Sequence, residues 1–361
     1  MNDASCNILV IGKSGVGKSS LINRIFNAQC KTGTGKPVTG HGVYSYDVTV
    51  DSMKAVVFDS WGIEPGSTEE WKKLLDQALL EHGVSRPPKD WFHAVVYCID
   101  ASGKRIQSFD TDIIGMLLKS GFHLSIVLTK SDLATAEERE KMKADLVKSG
   151  FDSARIIFFS SGGETRFEKT LPFGISELKE QMFGGWQKTI VQLLPKRCCR
   201  LLLDEITDFG YRSKHLIDAL DIAFWDNKAN EDLIRHEVDF FQRALAQYIA
   251  PAIINRELAA CFRISYVMIE ADKNQSAPSS AASTALSFEI IKMLTIFSPG
   301  VVVVGKAFSP FSFLDPSYSV RTSLKAYIDL VSRKMKEQYS SLESDIRDKL
   351  QSLIAENRKP E

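Results

Sequence analysis

The sequence predicts an α/β domain with a mostly parallel sheet flanked by helices, followed by an all-helical domain. Over residues 1–194, short apolar runs of strand length alternate with helical patterns, as they do when crossover helices join parallel strands. From residue 195 onward, apolar residues recur three or four apart and strand patterns fade, which indicates helices. We therefore expect two domains, residues 1–194 and residues 195–361.

The composition limits the class of protein. Lys and Arg total 45, and Asp and Glu also total 45, so the chain carries no clear signal of nucleic-acid binding. The six cysteines form no Cys-x-x-Cys pair, which favours free thiols in a reducing compartment over a zinc site or a disulfide framework. The polar start and the lack of an uninterrupted apolar stretch of membrane-spanning length predict a cytoplasmic protein.

A phosphate-binding motif lies between the first predicted strand and helix. The strand is the apolar run at residues 7–11, the helix has one apolar face over residues 20–26, and residues 12–19 have the form G-x-x-x-x-G-K-S. The backbone N–H groups of such a loop surround a phosphate. We expect Lys18 to reach the β- and γ-phosphates and Ser19 to bind Mg²⁺ through its hydroxyl. Further nucleotide contacts are expected from Ser14, Gly15, Val16, Gly17 and Ser20.

A loop rich in Gly and Thr follows over residues 27–40. It has neither a helical nor a strand period, and such a loop can become ordered when it contacts a γ-phosphate and Mg²⁺. Thr39 is the preferred residue for that contact, through its hydroxyl to Mg²⁺ and its N–H to the γ-phosphate. Thr32 and Thr34 are alternatives, and an ordinary surface loop is the other interpretation.

A D-x-x-G motif follows a predicted hairpin over residues 43–58. Asp59 stands at the end of the buried strand, where it could hold a water molecule on Mg²⁺. Gly62 could offer its N–H to the γ-phosphate and turn away after hydrolysis. The distance behind the phosphate-binding motif makes this short pattern informative.

A guanine-selective motif ends the predicted strand at residues 124–128. Thr129, Lys130 and Asp132 belong to the sequence Thr-Lys-Ser-Asp, which has the form [NT]-K-x-D. Asp132 could accept hydrogen bonds from the ring N–H and the exocyclic amine of guanine, a pair of donors that adenine lacks. The methylene stem of Lys130 could lie over the base.

Two small residues follow the next predicted strand, at residues 154–159. Ser160 and Ser161 would allow a backbone N–H to approach the carbonyl oxygen of guanine. A simple turn explains the same residues nearly as well. Because the ligand residues fall at the carboxyl ends of parallel strands, they are expected to meet at one edge of the sheet.

With these five motifs in order, residues 1–194 resemble the Era-like and septin-like branch of the P-loop GTPases. The passage at residues 33–39 is similar to the switch loop of the group called HSR1-related or "50S ribosome-binding" GTPases. The immunity-related GTPases are also similar, because their G domain is followed by helices. The resemblance implies a G domain that hydrolyses GTP to GDP and phosphate with Mg²⁺ as cofactor, with Lys18, Thr39 and Gly62 acting on the reacting phosphate.

Two departures from the family pattern bear on the rate of hydrolysis. Efficient switches often place a glutamine after the D-x-x-G glycine, and here that residue is Ile63. Potassium-activated members carry an asparagine where this chain has Gly15. We therefore expect slow intrinsic turnover, accelerated by a partner or by a second copy across the nucleotide face. Other candidate helpers, each otherwise a solvated loop residue, are His41, Glu64 and Glu69.

The C-terminal half predicts helices with ordinary core-facing apolar stripes. A closing helix is expected over residues 175–194, ended by Pro195, and a later helix is expected to end at Pro251. The most hydrophobic region is residues 286–313; buried helices are the preferred interpretation, and a hairpin that binds a membrane or a partner is the alternative. A long amphipathic helix over residues 318–356 should pack back on the domain, or else pair with another chain.

The expected function is a GTP-hydrolysing molecular switch whose helical domain binds an effector of unknown identity. A GTP-dependent assembly protein that dimerises through its nucleotide face is one alternative. A membrane-associated GTPase using residues 286–313 is the other.

Overall fold

The computed structural model describes most of the two predicted domains. The described residues are 6–26, 36–37, 43–50, 53–60, 68–164, 169–221, 228–272 and 320–356. Thr39, Gly62 and the hydrophobic segment 286–313 lie outside these ranges. The chain divides into two compact units: the first comprises Met1–Leu194 and Ala260–Ser279, and the second comprises Pro195–Ala259 and Ser280–Glu361.

The first unit is built on a mostly parallel sheet. Within the described ranges it has seven strands in the order β2-β3-β4-β1-β5-β6-β7, with β1 at the centre. Strands β1, β4, β5, β6 and β7 are parallel, whereas β2 and β3 are antiparallel to their neighbours. The predicted α/β class is therefore confirmed. The strands are β1 (Cys6–Gly12), β2 (Lys36–Pro37), β3 (Val43–Val50), β4 (Met53–Ser60), β5 (Ala94–Asp100), β6 (Leu124–Thr129) and β7 (Ile156–Phe158).

Helices join the parallel strands of the first unit. They are α1 (Lys18–Phe26), α2 (Thr68–Glu81), α3 (Ser108–Lys119), α4 (Ala136–Lys148) and the start of α5 (Ile175–Ala219). Every residue of β1 and β6 is buried, as expected for strands covered on both faces. Helix α4 has no counterpart among the predicted elements, although a capping box marks its start: the Thr135 hydroxyl accepts from the Glu138 N–H, and the Glu138 carboxylate accepts from the Thr135 N–H. A short hairpin, β8 (Gly163–Glu164) and β9 (Lys169–Thr170), lies outside the main sheet.

Helix α5 corrects the prediction that Pro195 ends the closing helix. The helix runs from Ile175 to Ala219 with Pro195 inside it. A proline in a helix interior removes one backbone hydrogen bond and costs about 3 kcal/mol. The residues on both sides of Pro195 include Leu194, Cys198 and Leu202, all fully buried. Burial of this apolar stripe outweighs the local preference of proline to end a helix.

Pro251 likewise fails to end its helix. Helix α6 (Lys228–Ala244) passes into a π-helical turn at Leu245–Ile249 and then into α7 (Ala250–Asp272). The π turn lies directly before Ala250 and Pro251, so the helical hydrogen-bond pattern changes just where the N–H of Pro251 is missing. In the second unit, Phe209 of α5 stacks on Phe241 of α6 with ring centroids 4.0 Å apart.

The predicted C-terminal helix is two helices. Helix α8 (Val320–Ser340) and helix α9 (Leu342–Glu356) are separated by a turn at Ser341. Their apolar stripe is buried in the second unit, which agrees with the preferred prediction that this region packs back on its own domain. The buried members of the stripe are Leu324, Ile328, Val331, Met335, Leu342, Ile346 and Leu350.

Helix α8 lies antiparallel to the C-terminal part of α5. Lys214 of α5 pairs with Asp329 of α8 at 2.5 Å, and Asp218 of α5 pairs with Lys325 of α8 at 2.6 Å. Arg321 donates from its guanidinium to the carbonyl oxygen of Leu220 at 2.7 Å, which caps the end of α5. None of the helices in the described ranges is both long and apolar enough to cross a bilayer.

A buried histidine just before β5 is hydrogen-bonded both to β1 and to the segment that leads into β5. His93 is fully buried, and its Nδ1 accepts from the Asn7 N–H at 2.7 Å. Its Nε2 therefore carries the hydrogen and donates to the Pro88 carbonyl oxygen at 2.9 Å. The Trp186 ring packs edge-on against His93, with centroids 4.6 Å apart. Burial lowers the pKa of His93 to about 4.

We expect His93 to make the first unit sensitive to acid. The unfolded state binds this proton near pH 6.5 and the folded state near pH 4, so the contribution is complete above 6.5 and is lost as pH falls toward 4. Between pH 7.5 and pH 5 the loss is about 2 kcal/mol. Urea unfolding followed by tryptophan fluorescence should show a shallower pH dependence for His93→Gln than for the unmodified protein. The exposed His236→Gln variant is the control, and an equal slope in all three proteins would contradict the assignment.

Candidate functional site

The loop between β1 and α1 is folded by glycines at its sharpest turns. Gly12, Gly15 and Gly17 have φ angles of 154°, 73° and 101°, which L side chains rarely adopt. At Gly12 the chain also passes so close to β5 that an added Cβ would lie 2.5 Å from the Cys98 carbonyl oxygen. The backbone of residues 13–17 thus curls over the end of the sheet, as a phosphate-binding loop requires.

Lys18 lies at the start of α1 with its ammonium inside this loop. The side chain is buried, and its Nζ donates to the carbonyl oxygens of Gly12 at 2.9 Å and Lys13 at 3.0 Å. Burial lowers the pKa of Lys18, and the nearby Asp59 carboxylate opposes that shift. The cation is therefore held at the position where an anionic ligand of the loop would meet it.

Asp59 faces the loop from the end of β4. It lies beside Val10 of β1 in the parallel register, and its Oδ1 is buried with no hydrogen-bond partner among the described residues. Burial raises the pKa of Asp59 to about 6, while Lys18 acts in the opposite direction. A buried carboxylate oxygen without a donor is well suited to a cation or to water bound by one. Ser19, on the first turn of α1, is half-buried at the same strand ends.

The remaining loop residues differ in exposure. Val16 is buried in the loop interior, whereas Ser14, Gly15 and Ser20 are exposed. The exposed backbone at Ser14 and Gly15 is open to a ligand, since an added Cβ at Gly15 would meet nothing within 4 Å.

The Thr-Lys-Ser-Asp motif is joined to the phosphate-binding loop by two side chains. The Thr129 hydroxyl lies 2.5 Å from the Val16 carbonyl oxygen, and Lys130 Nζ donates to the Gly15 carbonyl oxygen at 2.7 Å. Lys130 adopts a left-handed φ of 52°. Asp132 is half-buried and, within the described part of the chain, has no hydrogen-bond partner, so its carboxylate remains available to a ligand.

The segment after β7 offers one clear backbone donor. The Ser160 N–H donates to Phe173, and the Gly162 N–H donates to the Ser160 hydroxyl at 3.0 Å. The Ser161 N–H has no partner among the described residues, so Ser161 is better placed than Ser160 to donate to a base. The side chain of Ser160 is buried and serves the turn itself.

Several predicted residues remain outside this description. Thr39 and Gly62 have no described position, and neither do His41 and Glu64. Glu69 lies on the exposed face of α2, where it pairs with Lys72 at 3.1 Å. Within the described ranges, no group of three or more His, Cys, Asp or Glu residues is arranged to hold a metal by itself.

Two residues near the site were not among the predicted ones. Asp100 pairs with Lys130 at 2.6 Å, and Asp110 pairs with Lys13 at 3.5 Å. Neither belongs to a recognisable nucleotide motif. The only sequence signal is the position of Asp100 at the end of a strand next to the one that ends in Thr129.

Comparisons with known proteins match part of this chain. Residues 7–130 match the family model described as "50S ribosome-binding GTPase". This stretch contains the phosphate-binding loop, Asp59 and Lys130. This part of the chain is therefore similar to a P-loop GTPase domain. The ribosome named in that description is not evidence about the partners of this chain.

Individual relatives match about half of the chain. Human septin-9 is 25% identical over 201 residues, which cover 47% of this chain and 34% of that protein. GTPase Der of Legionella pneumophila (strain Lens) is 25% identical over 206 residues, covering 56% of this chain and 42% of that protein. The matches thus span well under half the length of these relatives.

Solved structures of GTP-binding proteins are also similar. A probable GTP-binding protein engB is 16% identical with a TM-score of 0.37, over 51% of this chain and 99% of that one. The G domain of the T. maritima FeoB iron transporter is 18% identical with a TM-score of 0.32, over 50% of this chain and 98% of that one.

Gly12 and Gly15 form a matched pair for testing the loop. We expect Gly12→Ala to lower the free energy of unfolding by about 2 kcal/mol or more, because the new Cβ would collide with the β5 backbone and the φ angle is unfavourable. Gly15→Ala meets open space and should cost only about 1 kcal/mol, from its left-handed φ. Urea unfolding without nucleotide measures both, and equal losses would contradict the close approach at Gly12.

Proposed function

We propose that this protein binds GTP and hydrolyses it slowly to GDP and phosphate, acting as a molecular switch. The observation that carries the proposal is the direct connection between the two candidate ligand-binding motifs. Lys130 and Thr129 each contact a carbonyl oxygen of the phosphate-binding loop. A base held by the second motif would therefore be continuous with phosphates held by the first.

Each described residue has a role that follows from its position. Lys18 would bind the β- and γ-phosphates, because its buried ammonium already lies within the loop. Asp132, whose carboxylate has no partner among the described residues, would select guanine, and the Ser161 N–H would donate to the guanine carbonyl oxygen. Gly62 is proposed to contact the γ-phosphate on sequence grounds alone.

The residues proposed to hold Mg²⁺ are Ser19, Asp59 and Thr39. Two of these are described, and the partnerless Oδ1 of Asp59 fits a site for a cation or its bound water. When bound, Mg²⁺ would neutralise charge on the β- and γ-phosphates. Lys18, whose buried ammonium lies within the loop, would supply a second cation for the same phosphates.

Slow turnover is proposed because Ile63 replaces the residue that commonly orients water. Ile63 also favours the second candidate function, a GTP-dependent assembly protein that dimerises through its nucleotide face. In either case we propose a cytoplasmic protein whose helical domain binds an effector. Membrane binding through residues 286–313 is the less favoured alternative.

Lys18→Ala and Asp132→Asn test the two halves of the site. Each charge-assisted hydrogen bond contributes about 1.5–3 kcal/mol, so Lys18→Ala should weaken GDP binding at least about tenfold. Asp132→Asn should weaken GDP binding and strengthen xanthosine diphosphate binding, because an amide can donate to the carbonyl that xanthine carries. Titration with fluorescent GDP measures both variants. Tight ATP binding without GDP binding would overturn the proposed function.

Turnover at increasing protein concentration separates the switch from the assembly protein. We expect a monomeric switch to hydrolyse GTP at a constant slow rate per site, with no change of mass between GDP and a non-hydrolysable GTP analogue. Catalysis completed between two copies would raise the rate per site and produce a dimer only with the analogue. Light scattering provides the mass under the same conditions.

A further inference from the structure

The connection between β5 and α3, residues 101–107, carries none of the five nucleotide motifs and yet contacts two of them. Its first anchor is Asp100, the last residue of β5. Asp100 stands directly beside Thr129 in the parallel register of β5 and β6. Because Lys130 directly follows Thr129 in the guanine-selective motif, this register places the Asp100 carboxylate beside Lys130.

Asp100 and the phosphate-binding loop hold the Lys130 ammonium together. Nζ lies 2.6 Å from Asp100 Oδ2 and 2.7 Å from the Gly15 carbonyl oxygen. The left-handed backbone of Lys130 aims the side chain back across the sheet edge toward both acceptors. With its end fixed, the methylene stem has few conformations left, and it is this stem that is expected to lie over the base.

Asp100 is itself fixed. Its Oδ1 accepts from the Ser102 N–H at 2.9 Å and from the Ser102 hydroxyl at 2.6 Å. Partial burial alone would raise the pKa of Asp100, but the hydrogen bonds from Lys130 and Ser102 outweigh it and hold the pKa below its usual value. The carboxylate is therefore ionised at neutral pH and oriented before any ligand arrives.

The rest of the connection is anchored on both sides of the site. Lys104 pairs with Glu138 of α4 at 2.7 Å, on the side of the guanine-selective motif. On the other side, Asp110 accepts from the Tyr97 hydroxyl at 2.9 Å and pairs with Lys13 of the phosphate-binding loop.

A cavity of about 360 Å³ lies between these anchors, lined in part by Lys13, Val16, Asp100 and Arg105. The connection therefore reaches the phosphate-binding loop through individual side chains and not through continuous packing. An exposed ion pair usually contributes little, but this carboxylate accepts from three donors and lies at the meeting point of two loops.

We propose that Asp100 is a positioning residue for guanine recognition, acting through Lys130. The inference rests on the proposed function, since it concerns how the same site holds its base. Asp100 touches neither base nor phosphate. It fixes the Lys130 ammonium so that the lysine stem keeps the base in plane with the Asp132 carboxylate. Removal of Asp100 should loosen that alignment and reduce both affinity for guanine nucleotide and discrimination by Asp132.

The first test is equilibrium binding of GDP and of inosine diphosphate, which lacks the exocyclic amine, to the full chain with Mg²⁺. We expect Asp100→Ala to weaken GDP binding about tenfold, the scale on which loss of a residue that orients a metal ligand weakens metal binding. The ratio of GDP to inosine diphosphate affinity should fall about threefold, because the contact of Asp132 with that amine is the one that loosens. Asp112→Ala, an exposed acid on α3, is the matched control and should bind both ligands as the unmodified protein does.

The second test is a double-mutant cycle with Lys130→Ala. If Asp100 acts through Lys130, Asp100→Ala adds no further loss once the lysine is gone. Independent, additive losses would overturn the proposal, and so would an equal loss for GDP and inosine diphosphate, the pattern of a purely structural role. Should Asp100→Ala fail to fold, Asp100→Asn decides, since it keeps the Ser102 bonds and loses the charge facing Lys130. GDP binding unchanged within about twofold in Asp100→Asn would then reject the idea.

Failure of the proposed function looks different from failure of this inference. If the unmodified protein binds neither GDP nor inosine diphosphate, the function itself is wrong. If it binds GDP and the Asp100 variants bind equally well, only the positioning role is wrong.

Discussion

The site depends on a buried ammonium held by the backbone of its own loop. Lys18 is out of water, and the carbonyl oxygens of Gly12 and Lys13 replace its hydration. This is possible because the loop turns at Gly12, where any side chain would strike β5. A buried cation without full compensation is costly, so the surrounding structure has to hold these carbonyls in place. The central position of β1 in the sheet provides that support from both neighbouring strands.

The parallel sheet determines which charges meet around that ammonium. Asp59 lies near the end of β4, on one side of β1. Asp100 ends β5 and Lys130 follows β6, both on the other side. Because parallel strands end at the same edge of the sheet, residues that are distant in sequence come together there. The result is an alternation of cations and carboxylates in which each lysine has an anion or carbonyl nearby. Asp59 and Asp132 keep carboxylate oxygens that have no partner within the described residues, and these are the places where a ligand can add contacts.

Several features could be predicted because they are local. The phosphate-binding loop needs glycines at fixed offsets, and the Thr-Lys-Ser-Asp motif needs a strand end before it, so both were visible in the sequence. The buried strands were predicted from their apolar runs. Helix ends were less predictable: Pro195 and Pro251 were expected to stop helices, but burial of the flanking side chains and a π turn overrode that local preference. The break at Ser341 was not predicted, although the apolar stripe has one wider gap close to it, between Met335 and Leu342.

The sequence by itself determined the α/β order of the first unit, the helical character of the second, and the residue types able to bind phosphate and guanine. These depend on periodicity and on short motifs, both of which are patterns of residues close together in the sequence. Only the tertiary structure decided that Asp100 faces Lys130 and that Lys130 reaches the Gly15 carbonyl oxygen. It also decided that the Ser160 N–H donates to Phe173, whereas the Ser161 N–H has no partner among the described residues. Those facts depend on strand register and on hydrogen bonds between distant segments. No pattern of neighbouring residues encodes them, because each partner is contributed by a different part of the chain.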